Sequence, residues 1–134
     1  MVKLEENDRV AFEAYQDRSI AKDGNIFYSG VNINIGNGLD SKTGIFTAPK
    51  SGIYIIRYED LSNNAWHLAR LYLNGDLVTK QEGDKGQSSM FMEMLKLEKN
   101  DKVWINYKLI RKPQRHPFKV YPALRFFGYM LFST

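Results

Sequence analysis

Between Asn34 and Tyr58 the chain reads NIGNGLDSKTGIFTAPKSGIYIIRY, and the rest of the sequence is organised around this stretch. Turns and short apolar runs alternate here too quickly for a helix. Gly36-Asn37-Gly38 is turn chemistry, because Gly and Asn tolerate the positive φ that tight turns need. Asp40 to Gly44 is a second turn, and Lys50-Ser51-Gly52 a third. Ile45-Phe46 begins an apolar run that Ala48-Pro49 stops, since proline cannot donate to a sheet ladder. Ile53 to Tyr58, rich in β-branched and aromatic residues, reads as a strand.

The same rhythm runs through the chain. Arg9 to Tyr15 alternates, with Val10, Phe12 and Ala14 on one face. Ile26-Phe27-Tyr28 and Val31 to Ile35 are short strands. Trp66 to Leu73 alternates, with Trp66, Leu68 and Tyr72 or their neighbours inward. Asn74-Gly75 fits a type I′ hairpin turn, and Leu77 to Lys80 returns. Ser89 to Leu97 carries Met90, Met92 and Met94 at strand spacing. Val103 to Tyr107 follows a turn, and Leu124 to Phe132 reads as a buried closing strand. Strand signals every 8–12 residues without a helix predict an all-β sandwich or barrel. The methionine stripe, Trp66 and Trp104 are expected in the core, with a soft interaction surface as the lesser reading of the methionines.

The spacing of Tyr28, Asn34, Leu39, Phe46, Gly52, Tyr54, Ile56 and Tyr58 resembles the globular head domain of complement C1q and its relatives. Thr43-Gly44, Ala48-Pro49, the opening Val10-Ala11-Phe12-x-Ala14 and the hairpin Leu71 to Gly75 match as well. Leu97 to Val103 matches with Asn100 where the family usually has Gly, and Phe126-x-Gly128-Tyr129-x-Leu131 resembles its terminal strand. Tyr28 and Ile56 stand where Phe is usual. The resemblance runs from Val10 to Phe132. It implies a ten-stranded jelly-roll β-sandwich like that of the tumour necrosis factor ligands, at residues 9–134 after a polar leader or stalk remnant at 1–8. It also implies a homotrimer joined through one apolar sheet face, and a secreted, extracellular protein whose signal peptide is absent from this sequence.

Composition narrows the chemistry. The 134 residues contain no cysteine, so thiolate catalysis, a disulfide framework and cysteine-based zinc sites are excluded. No apolar run approaches the ~20 residues of a membrane helix, so membrane insertion is not expected. A net charge of +4 is too small to argue for nucleic acid. His67 and His116 lie in no catalytic motif, and no enzyme is expected.

Two loops remain as candidate sites. Some heads resembling this one bind calcium before the Met90 strand, where this chain offers Glu82 and Asp84. Lysines crowd that turn, so neither a cofactor nor a metal is expected, calcium being the one weak possibility. Arg111, Lys112, Arg115, His116 and Lys119 form a basic loop with no intervening acid, stiffened by Pro113, Pro117 and Pro122, with Arg125 just beyond. Arginine clamps carboxylate, sulfate or phosphate bidentately, and Phe118 or Tyr121 offers a ring for a sugar. The expected function is a non-enzymatic trimeric recognition module for innate pattern recognition. Its expected ligand is an anionic glycan, a microbial surface or an acidic protein, gripped through exposed loops. The rival reading is a secreted structural or signalling trimer that binds a protein receptor or matrix partner.

Overall fold

A computed structural model describes residues 9–17, 24–60, 66–83, 89–111 and 124–134. In chain order the strands are β1 (Ala11–Gln16), β2 (Gly24–Asn25), β3 (Gly30–Ile35), β4 (Leu39–Asp40), β5 (Ile45–Thr47), β6 (Gly52–Asp60), β7 (Trp66–Leu73), β8 (Asp76–Gly83), β9 (Ser89–Leu97), β10 (Lys102–Arg111) and β11 (Leu124–Ser133). They form a five-stranded sheet ordered β3-β1-β11-β6-β9 and a six-stranded sheet whose main path is β4-β5-β10-β7-β8. The two paths account for the ten strands expected. The two-residue β2 lies off them, paired to β10. Every pairing is antiparallel.

Alternation decides which side chains enter the core. Along β6, Tyr54, Ile56 and Tyr58 are fully buried while their neighbours face outward, as a period of two requires. Phe12 and Ala14 go inward from β1, Val10 just before it, and Leu124, Phe126 and Met130 from β11. Aromatic rings join the two layers. Phe46 of β5 stacks on Phe12 at 4.3 Å between centroids and meets Tyr54 edge-on at 5.8 Å. Phe12 meets Phe126 at 4.9 Å, and Tyr28 stacks on Phe126 at 5.7 Å. Rings of this size supply most of a small core's apolar burial.

Several local expectations change. Ile26 to Tyr28 is not a strand but an irregular crossing. The Ile26 amide donates to the carbonyl of Ile105, and the Tyr28 amide to that of Ser41, both at 2.9 Å. Along β7 it is Ala69 and Leu71 that are fully buried, the neighbours of the residues first indicated; Leu68 is nearly so, and Tyr72 faces out. β11 is buried on one side only, with Tyr129 and Leu131 about half exposed.

The turns behave as their residues dictate. Asn74 and Gly75 both have positive φ, 51° and 91°, which is the type I′ requirement. Gly44 sits at φ 74°, where a Cβ would stand 1.7 Å from the Ile26 carbonyl oxygen, so only glycine fits. Asp101 ties one end of the sandwich together. Its carboxylate accepts from Asn74 Nδ2 at 2.9 Å and from the Glu98 amide at 2.8 Å, while Asn74 Oδ1 accepts from the Lys102 amide at 2.8 Å.

Inside the sandwich lies a polar group of buried Tyr28, Tyr58 and Tyr107 with Asp60. Asp60 is fully buried, and Tyr58 OH donates to its Oδ2 at 3.4 Å. Burial pushes the Tyr58 phenol well above its ordinary value of 10.0, and the neighbouring Asp60, Tyr107 and Tyr28 push it further in the same direction. Burial alone raises Tyr28 well above the same value. Among the described residues the Tyr28 hydroxyl has no hydrogen-bond partner.

Candidate functional site

The outward face of the five-stranded sheet is largely apolar, with Ile33, Ile35, Met90, Met92, Met94, Tyr129 and Leu131 exposed among the described residues. Backbone register sets its side chains in rows. Ile35, Ala11, Tyr129, Ile55 and Met94 stand opposite one another from β3 to β9. The next row is Ile33, Glu13, Phe127, Arg57 and Met92. At ~4.8 Å per strand spacing each row is about 19 Å across. The methionines are the clearest correction to the sequence reading. Met90, Met92 and Met94 are 53%, 63% and 64% exposed, while Phe91 and Leu97 take the core side of β9. A strand with large apolar residues on both faces reads as core from composition alone. Only the register shows which half faces out.

Glu13, Arg125 and the Arg57–Glu59 pair interrupt this face. Arg57 Nη2 lies 2.8 Å from Glu59 Oε1 and donates to Met90 Sδ at 2.9 Å, and its guanidinium sits 5.4 Å from the Phe127 ring centroid. Arg57 thus lays its flat group over apolar neighbours while keeping its charge paired. The sequence signal for this arrangement was weak: an isolated Arg-x-Glu within a greasy strand.

The outward face of the six-stranded sheet is of another kind. Trp104 is not in the core. It faces out of β10 and stacks on Tyr72 of β7, with centroids 5.9 Å apart and planes 15° from parallel. Around this pair stand Arg70, Lys80, Asn106, Lys108 and Lys102.

The predicted basic loop leaves the end of β10. The backbone of Arg111 closes that strand; its side chain, and Lys112, Arg115, His116, Phe118, Lys119 and Tyr121, lie outside the described residues. Past the loop, Arg125 is exposed on β11 and lines a hollow of about 370 Å³ with Tyr15, Asp17, Asn32 and Leu124. Glu82 belongs to β8, but its side chain, like the whole of Asp84, lies outside the described residues. So do the side chains of Trp66 and His67, all of His116, and residues 1–8. Among the described residues no three His, Asp or Glu side chains gather as a metal site would need. No helix there is long and apolar enough to cross a membrane.

The fold and the two faces can be set against known proteins. The family model for the C1q domain matches residues 11–131. The chain belongs to the C1q domain family. Complement C1q tumor necrosis factor-related protein 3 of Mus musculus is 33% identical over 118 residues, covering 81% of this chain and 45% of that protein. Its Homo sapiens counterpart matches to the same extent. The chain therefore spans about half the length of the curated relatives it matches. Among solved structures, the globular domain of zebrafish complement 1qA protein superimposes with a TM-score of 0.72 at 22% identity, over 93% of this chain and 99% of that one. That likeness fixes the C1q jelly roll.

Proposed function

We propose that this C1q domain is a secreted, non-enzymatic recognition module. It assembles as a homotrimer through the outward face of the five-stranded sheet and binds an anionic ligand through the 111–119 loop. The exposed apolar rows from Ile33 and Ile35 to Met92 and Met94 carry the reading. Burying one such side chain is worth roughly 1.5–3 kcal/mol, so an open face of this extent favours self-association. Membership of the C1q family, whose heads are typically trimeric and secreted, supports the stoichiometry and the location. Three copies of the loop on one trimer raise avidity for a repeating target without any new contact.

Within the loop, Arg111, Lys112, Arg115, His116 and Lys119 hold the anionic group, and the prolines limit the entropy lost on binding. The experiment is a glycan array probed with the purified protein and with an Arg115→Ala variant. Signal on sialylated or sulfated glycans that disappears in the variant supports the reading. No signal on any acidic glycan, with capture of a membrane protein instead, selects the receptor-binding trimer.

A further inference from the structure

Assembly through the five-stranded sheet leaves the other sheet's outward face open to solvent, and that face is built for a different partner. Register lines up Asn25, Asn106, Arg70 and Lys80 across β2, β10, β7 and β8, about 14 Å at ~4.8 Å per spacing. The adjacent row holds Trp104, Tyr72 and the half-exposed Leu77. Lys108 and Lys102 stand above and below on β10. No described carboxylate pairs with Arg70, Lys80 or Lys108. Register also sets Glu82 of β8 in the row of Lys108 and Leu68, so the described basic side chains Arg70, Lys80, Lys108 and Lys102 outnumber one acidic position on this face. The face is therefore net cationic, carries amide groups and has an aromatic centre, whereas the opposite face is largely apolar with its Arg57 paired to Glu59.

We infer that this face binds an anionic polysaccharide bearing sulfate or carboxylate groups. Arg70 presents a planar fork that takes such a group bidentately, and Lys80 and Lys108 add compact charges along the chain's path. Asn106 Nδ2 donates to Asn25 Oδ1 at 3.2 Å, which fixes both amides and leaves Asn106 Oδ1 and Asn25 Nδ2 for sugar hydroxyls. The Trp104–Tyr72 pair gives the C–H side of a pyranose ring an apolar surface. The ligand class is that of the proposed function, on which the inference rests, but the residues are different ones.

The test uses a heparin octasaccharide titrated into the full chain, with tryptophan emission as the readout. The chain has two tryptophans, and a Trp104→Phe variant identifies the signal of the second. The expected result is saturable binding that changes Trp104 emission. Binding is expected to weaken roughly tenfold or more in Arg70→Glu/Lys80→Glu, and in the exposed single variant Lys80→Glu by a smaller factor. Melting temperatures near wild type confirm that these variants fold. An Arg115→Ala/Lys119→Ala loop variant is expected to keep the Trp104 response. Unchanged affinity in both face variants overturns the inference, as does unchanged Trp104 emission on saturation. Equal affinity and response with an oligonucleotide of matched charge also overturns it. Loss of binding in the loop variant alone overturns this inference and leaves the proposed function standing. No binding by the wild type overturns this inference, while the proposed function stands or falls on the glycan array.

Discussion

Replacing Tyr28 with Phe should stabilise this domain. Tyr28 is 5% exposed, its ring stacks on Phe126, and its hydroxyl is buried without a partner among the described residues. Mutational data put the cost of such an orphaned group at about 1–3 kcal/mol. Tyr28→Phe keeps the ring and its stacking and removes only the oxygen. Allowing for the small void left behind, the gain is roughly 1 kcal/mol, or about 4 °C in melting temperature for a domain of this size. The same substitution changes the alkaline response. Folded Tyr28 and Tyr58 lose their protons well above pH 10, while the unfolded chain loses them near 10. Above pH 10 the folded state then holds more protons than the unfolded one, so stability falls as pH rises; below about pH 9 these groups contribute no slope. Each such tyrosine contributes up to about 1.4 kcal/mol per pH unit, so the pair gives at most about 2.7 and Tyr28→Phe halves it. The assay is urea unfolding of both proteins at equal concentration between pH 7 and 11. A Tyr28→Phe protein less stable than wild type at pH 7, or an unchanged slope above pH 10, refutes the reasoning, because the hydroxyl then has a stabilising partner.

Asp101→Ala removes two hydrogen bonds to the carboxylate, one to Asn74 and one to the Glu98 amide, and should cost about 2 kcal/mol in chemical denaturation. Asn100 holds a φ of 77°, so Asn100→Gly should be neutral or stabilising and Asn100→Ala should cost about 1 kcal/mol in the same assay. Met92→Glu puts a charge at the β9 end of the apolar rows, opposite Arg57, without touching the core. It should leave the melting curve of the isolated subunit intact and raise the concentration at which the trimer dissociates by tenfold or more, read by sedimentation velocity.

The sandwich was legible in the sequence because its signals are local. Gly36, Gly44 and the Asn74-Gly75 pair mark turns whose positive φ values the structure contains. The alternation in β1 and β6 sorts core from surface without help from distant residues. The faces were harder to read because strand period has no sign. Met90, Met92 and Met94 alternate with Phe91, Glu93, Leu95 and Leu97, and the glutamate in the second set makes the methionines the more apolar side, so pattern alone gave no reason to place them outside. Trp104 was misplaced for a related cause. A large ring is expected inside, yet Val103 and Ile105 occupy the core side of β10 and force Trp104 outward onto Tyr72. The Tyr72–Trp104 pair and the row from Asn25 to Lys80 join residues from separate strands, and only the register brings them together.

The central claim is that the greasy outward face of β3, β11, β6 and β9 meets other copies of the chain. Light scattering on the size-exclusion peak at micromolar concentration measures it directly. Three times the 15.6 kDa of one chain is the mass this account requires. A peak of 15.6 kDa that persists at higher concentration contradicts it.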